Sequence, residues 1–267
     1  MWTFYELKTR AKEVLKTSYG KSLIAILICG LIGGGISLNA NTASFAPTDY
    51  KSIETAISNN IGLFSGLFSS ILVSSLLISF FITIPLTVGK VRFFNESARG
   101  NVSLKQVFYP FTNGVSNYLN IVKVSFFKSL FLFLWGIGGV LVAALLSFGI
   151  SRVVPASEAY IILMLGLVYV GLIPMLVKTL EYYFVEYILS DEPEIGWREA
   201  LKKSKAMTSG NKFRMFLLSL SFLGWILLGA MCFGVGVILV NPYIEATFTQ
   251  LYFKLKDVYT QNEYEEI

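Results

Sequence analysis

The sequence predicts an all-α, polytopic membrane protein: six transmembrane helices arranged as three hairpins, each preceded by a short interfacial amphipathic helix. Three observations lead there. The chain of 267 residues is 54% hydrophobic and only 15% charged, with a mean hydropathy of +0.63, whereas soluble proteins average about 25% charged residues. Its apolar runs approach or exceed the roughly 18 residues that a bilayer crossing needs. A basic amphipathic segment followed by a long apolar run also recurs along the chain, as an internal repeat would.

The first unit opens at Thr3, an N-cap with Glu6 three residues later, and Phe4, Leu7, Ala11, Val14 and Leu15 share one helical face through residue 19. Trp2, Phe4 and Tyr19 suit the membrane interface. A span over 22–38 follows, with Gly30, Gly33, Gly34 and Gly35 permitting close helix approach. A signal peptide is the alternative for this region; the long flank carrying Glu6 and Glu13, and the further spans, favour a retained helix. The polar stretch 39–60, with Pro47, reads as an exposed loop, and the second span covers 63–89 with Pro85 inside it.

The second unit begins at Ser103, with Gln106 at the capping-box position and Pro110 keeping any helix short. Spans over 125–149 and 159–180 follow, separated by a loop with Arg152, Pro155 and Glu158; Pro174 lies in the returning span, whose amphipathic continuation reaches Leu189. The third unit starts at Gly196 as N-cap, with Glu199 at the capping-box position, a favourable Glu199–Lys203 pair and Gly210 as the stop.

The apolar run 213–240 admits two readings. As one helix it would be about 42 Å long, well beyond the roughly 30 Å hydrocarbon core. As a hairpin it forms spans 213–230 and 235–255 around the turn M-C-F-G-V-G. Charge favours the hairpin: with both termini cytoplasmic and six spans, only Lys51 and Arg152 of the 22 basic residues fall outside. Five spans would add Lys254 and Lys256 to the outside. The repeat agrees, because each returning span holds one proline, Pro85, Pro174 or Pro242, followed by the aromatic pairs Phe93–Phe94, Tyr182–Tyr183 and Tyr252–Phe253. The whole chain, 1–267, is read as a single membrane domain.

The three prolines are helix kinks. They are either ordinary features of membrane helices or the walls of a shared cavity into which freed carbonyls point. Ionisable groups at membrane depth are the candidate pathway or buried polar residues: Glu245, three residues after Pro242, and the i,i+3 pair Lys178 and Glu181. Glu245 is either half of a buried structural pair or a substrate or ion contact. Lys128 and Lys178 can instead snorkel, and Glu181 and Glu186 can face the cytoplasm. Lys202, Lys203, Lys205, Lys212 and Arg214 form the densest basic cluster, read as an anchor for anionic lipid headgroups rather than a nucleic-acid site, because it abuts a span.

Zero histidine removes imidazole ligands and histidine general bases in one step. Cys29 and Cys232 sit in apolar runs as packing residues, and no metal-binding cysteine spacing, H-E-x-x-H, G-x-S-x-G or phosphate-binding glycine loop occurs. No cofactor is expected, and the chain is read as a non-enzyme.

The stretch W-R-E-A-L-K-K-S-K-A-M-T-S-G-N-K-F-R from Trp197 to Arg214, followed by L-S-F-L-G-W-I-L-L-G and N-P-Y-I-E-A-T, resembles a bacterial integral-membrane family catalogued as domain of unknown function 975. R-A-K-E-V-L-K near the N-terminus and P-F-T-N-G-V-S-N-Y-L-N in the middle extend the likeness over nearly the whole chain. The resemblance implies a multi-pass protein of the cytoplasmic membrane and carries no activity or catalytic residues. The expectation from sequence is non-enzymatic transport or handling of a small molecule, peptide or lipid, with Glu245 near the pathway. The alternative is a membrane scaffold or regulatory subunit that recruits a partner at its basic cytoplasmic face. A polar cavity lined by the proline regions would favour the first, and a packed bundle with an exposed apolar groove the second.

Overall fold

The computed structural model describes residues 2–33, 69–70, 73–74, 77–152, 158–231 and 235–265, and every element among them is helical. Gly34, Gly35, the loop 39–60, the start of the second span, Pro155 and Cys232 lie outside the described residues. Four helical stretches, Phe4–Ile32, Val115–Ile150, Ile162–Asp191 and Lys212–Met231, are long and apolar enough to cross a membrane.

Helix α1, Phe4–Gly33, is continuous for 30 residues. Its start is as expected, since the Thr3 hydroxyl accepts the Glu6 N–H at 3.2 Å. The predicted interfacial helix 3–19 is therefore not a separate element. Nothing between Tyr19 and Ser22 breaks an α-helix: Gly20 alone costs only about 1 kcal/mol, and Lys21 is held by the Val102 carbonyl at 3.0 Å.

Helix α2, Ile84–Ala98, is entered through a π-turn at Ser79–Thr83 in which the Ile84 N–H reaches back to the Ser79 carbonyl. Pro85 sits in its first turn, where a missing N–H is tolerated. Proline cannot donate to the carbonyl four residues earlier, and the wider turn accommodates its ring. A 3-10 turn, Leu104–Phe108, then packs on α2 so closely that a Cβ on Gly89 would fall 1.8 Å from the Val107 carbonyl oxygen. Ser103 precedes this turn without a side-chain cap, so the predicted second interfacial helix is reduced to it and the single turn Tyr109–Thr112.

Gly114, at φ +92°, reverses the chain into α3, Val115–Ser151. Helix α4, Glu158–Glu181, returns along it with Pro174 inside. The two cross at glycine: a Cβ on Gly139 would lie 1.7 Å from the Gly171 carbonyl oxygen, the small-residue contact that lets membrane helices approach. Elsewhere this pair turns its apolar side chains outward, with Phe133, Leu145, Ile162 and Tyr169 each more than 60% exposed. In water so much apolar surface would be costly; in lipid it is neutral.

The rest forms a packed base. Helix α5, Val185–Asp191, is almost entirely buried. Helix α6, Trp197–Thr208, starts at Gly196 as predicted and stops at Gly210, φ +73°. Its apolar face, Ala200, Leu201, Ser204 and Met207, is buried in protein, so α6 does not lie on lipid by that face. The same holds for Leu7, Ala11 and Leu15 of α1. An apolar stripe needs a non-aqueous partner, and here the partner is the chain itself.

Helices α7, Lys212–Leu220, and α8, Leu223–Met231, are separated at Ser221 and Phe222, so 213–240 is not one straight helix. Lys8 holds this break, bonding the Ser221 hydroxyl at 2.9 Å and standing 4.7 Å over the Phe222 ring. Helix α9, Val235–Glu265, packs against α8, with a Cβ on Gly229 falling 2.6 Å from the Val237 nitrogen. Pro242 lies inside α9. The main core gathers Leu7, Phe184, Ile188, Met215, Leu251 and Tyr252, all nearly inaccessible to solvent.

Candidate functional site

Four of the apolar stretches end at a charged residue, and the base ties these residues together. Lys90 follows the apolar stretch leading into α2, Lys128 precedes that of α3, Lys178 closes that of α4, and Glu245 follows that of α9. Placing single charges there would cost several kcal/mol; pairing removes most of that cost.

The structure pairs all of them. Lys90 and Glu245 form an ion pair from α2 to α9, each side chain less than one-fifth exposed. Lys128 donates to both oxygens of Glu186 at 2.6 and 2.7 Å, linking α3 to α5. Lys178 bonds Glu181 at 2.7 Å as its spacing predicts, and Lys212 takes the second carboxylate oxygen at 2.5 Å. The Glu181 backbone carbonyl accepts the Ser204 hydroxyl at 2.7 Å, which seats α6 on the end of α4. Glu181 is thus buried in a three-residue ion cluster and does not face open cytoplasm.

The strongest hub is one the sequence reading missed. Asp191, at the end of α5, accepts from Arg99 at 3.0 Å, from Lys256 at 2.6 Å and from the Tyr252 hydroxyl at 3.0 Å. One carboxylate thereby joins α5 to α9 and to the end of α2. Burial works against the charge on Arg99, and Asp191 and Glu96 outweigh it, so the guanidinium titrates above its ordinary value. Beside this hub, buried Asn95 donates to the Ser190 hydroxyl at 2.7 Å, and Arg92 bonds the Ser190 carbonyl and stacks 3.5 Å from the Tyr109 ring centre. An aromatic ladder, Phe248, Tyr183, Phe184, Tyr187 and Tyr252, fills the space between α5 and α9 at centroid spacings of 4.8 to 5.7 Å.

The basic cluster divides. Lys203 pairs with Glu192 at 2.5 Å rather than with Glu199, and Lys212 belongs to Glu181. Arg214 donates to the Trp2 carbonyl at 2.7 Å and lies 4.6 Å over its indole, while the indole N–H donates to Asn211 at 3.0 Å. Only Lys202 and Lys205 of the five point outward, with Arg198 one turn before Lys202 on the same exposed side of α6.

The prolines do not line one common cavity among those described. Pro174 borders an apolar groove of about 650 Å³ between α3 and α4, without Pro85 or Pro242. The Phe81 carbonyl, deprived by Pro85 of its usual donor, accepts the Tyr118 hydroxyl at 2.7 Å. The Tyr19 hydroxyl donates to the Leu239 carbonyl at 3.0 Å, tying α1 to α9 next to Ile238, whose carbonyl lies four residues before Pro242. The carbonyl freed by Pro85 is thus capped by a neighbouring helix rather than opened to a pathway.

A polar recess of about 600 Å³ lies beside α6, lined by Tyr109, Asn113, Asn117 and the carboxylates Glu192, Glu194 and Glu199. Asn120 braces its floor, donating to the carbonyls of Pro193 and Ile195 at 2.8 Å each. Among the described residues no three histidine, cysteine or acidic groups are placed to hold a metal ion. Cys29 is half-buried and its thiol lies 3.8 Å from the Leu86 carbonyl. The sequence contains no histidine to act as a base.

No curated protein and no solved structure matches the chain. The family described as "Protein of unknown function (DUF975)" matches residues 1–258, the whole of the base and of every apolar rod but the last few residues of α9, and the chain belongs to that family.

Proposed function

We propose that this chain is a six-span, non-enzymatic scaffold of the cell membrane, with both termini cytoplasmic, whose base presents a rigid basic face to a partner. In this reading the four long apolar stretches, the last of them α7 and α8 together, supply four of the spans. The helix running into α2 and the first part of α9 complete six, paired as α1 with α2, α3 with α4, and α8 with α9. The charged residues at which four of the apolar stretches end support this arrangement, because they mark one membrane boundary.

One observation carries the scaffold reading: the apolar face of α6 is buried in protein while Arg198, Lys202 and Lys205 are exposed. A helix fixed in this way holds its charges in one orientation, and Ser204 and Thr208 bonded to the Glu181 carbonyl fix it further. The occupant of such a face is an acidic partner segment or anionic lipid. A photocrosslinker at position 202 in native membranes tests this. A discrete adduct that disappears on reversing Arg198 and Lys205 to Glu, with the melting temperature unchanged, is the expected result; an adduct indifferent to the reversal contradicts the proposal.

Transport or handling of a small molecule is the second reading, favoured by the Lys90–Glu245 and Lys128–Glu186 pairs set among Tyr183 and Tyr187. In proteoliposomes loaded with a pH dye, Glu245→Gln should then alter ion or proton flux. Identical flux in wild type and variant removes Glu245 from a pathway.

A further inference from the structure

The helical residues 73–74 and 77–81 and the start of α3 border an apolar groove of about 490 Å³, lined by Val73, Leu77, Phe80, Phe81, Leu119, Val122, Lys123 and Phe126. Among the described residues that line it, Lys123 is the one charged group, it is exposed, and none is acidic. Along α3, Lys123 also marks the change from the polar stretch Ser116–Asn120 to an apolar run in which Lys128, already paired with Glu186, is the only charge up to Ser151. The ammonium therefore stands at the depth where lipid phosphates lie, next to a slot of the polarity of an acyl chain.

The floor is built to stay open. Tyr118 holds the Phe81 carbonyl, and Phe80 packs on Phe126 at 5.7 Å between ring centres, so the two helices are fixed on either side without closing. The other membrane-depth lysines already have carboxylates: Lys90 has Glu245, Lys128 has Glu186 and Lys178 has Glu181. Lys123 differs from them in its setting, a cation beside apolar walls.

From this juxtaposition we infer that the groove between Val73, Leu77, Phe80 and Phe81 on one side and residues 119–126 on the other binds one anionic phospholipid, with its phosphate on Lys123 and an acyl chain along Leu77, Phe80 and Phe126. The inference is independent of whether the protein is a scaffold or a transporter, since it needs only the membrane location.

Native mass spectrometry of the full chain released from detergent tests it, using phosphatidylglycerol and phosphatidylcholine of identical acyl chains. Wild type should retain one phosphatidylglycerol about fivefold over phosphatidylcholine, the effect of one lysine near the membrane surface. Lys123→Gln should abolish that preference, Lys123→Arg should keep it, and Leu77→Trp, which fills the slot, should reduce retention of both lipids. Glycerol phosphate, which has the headgroup charge without the chains, should not compete. A preference that survives Lys123→Gln, that is lost equally in Lys202→Gln, or that glycerol phosphate abolishes overturns the inference.

Discussion

Replacing Asp191 with Asn removes one negative charge and almost no volume, and it should loosen three elements at once. The carboxylate is nearly buried, at 7% side-chain exposure, while its partners Arg99 and Lys256 are 43% and 28% exposed. A hydrogen bond to a charged group contributes about 1.5 to 3 kcal/mol when buried, but exposed partners are screened and each ionic contact falls towards about 1 kcal/mol. Asn still accepts from one partner and strands no buried cation, since both bases can turn to water. Summing two weakened ionic contacts and the Tyr252 bond gives a loss of about 2 to 4 kcal/mol. For a chain of this size that lowers the melting temperature by about 5 to 10 °C. Thermal unfolding in detergent, followed by loss of helical circular dichroism, measures it, with Lys205→Ala as a surface reference expected within about 0.5 kcal/mol of wild type. A double-mutant cycle with Lys256→Met should return a coupling of about 1 kcal/mol. Asp191→Asn melting within 1 °C of wild type, with that coupling near zero, would refute the assignment of Asp191 as the hub of the base.

Two further perturbations read other parts of the structure. Gly139→Leu places side-chain atoms where a Cβ alone would meet the Gly171 carbonyl at 1.7 Å; overpacking of this kind costs about 1 to 3 kcal/mol. It should abolish a disulfide engineered across α3 and α4 while leaving one across α8 and α9 intact. Tyr118→Phe uncaps the Phe81 carbonyl and should cost about 1 kcal/mol, seen as a small drop in melting temperature. Because the bond lies beside Pro85, hydrogen exchange should quicken at the amides of Ile84 and Leu86 and remain unchanged in α6.

The sequence carried local structure well. Thr3, Gly196 and Gly210 terminate helices as read, and Lys178 finds Glu181. Each of these depends on residues a few positions apart, where periodicity and capping chemistry are visible. Apolar stripes were visible too, but a stripe does not name its partner. Leu7, Ala11 and Leu15 and the buried face of α6 looked like lipid-facing surfaces and proved to be protein core, because lipid and a neighbouring helix are equally apolar.

The ion pairs that close the base were mostly illegible for a different reason. Lys90 and Glu245 are 155 residues apart and Arg99 and Asp191 are 92 apart, and the neutral hydrogen bond from Trp2 to Asn211 spans 209. Nothing in local spacing joins them. One clue was present: the run S-D-E-P-E after Leu189 interrupts an otherwise apolar helix, and a carboxylate at such a position calls for a cation from elsewhere. The basic cluster misled in the opposite sense. Density in sequence suggested one anchor, yet Lys203, Lys212 and Arg214 turn inward to partners that only the fold supplies.

The central claim is that six spans place the basic face of α6 and both chain ends on one side of the membrane. Single cysteines at Lys12, Lys205, Asp257 and Arg152, in a chain with Cys29 and Cys232 replaced by Ala, test it through labelling by a membrane-impermeant maleimide. In intact cells the account predicts labelling at position 152 alone, with 12, 205 and 257 reacting only after the membrane is opened. Labelling of position 257 in intact cells while 205 stays protected would mean an odd number of crossings between them and would contradict the account.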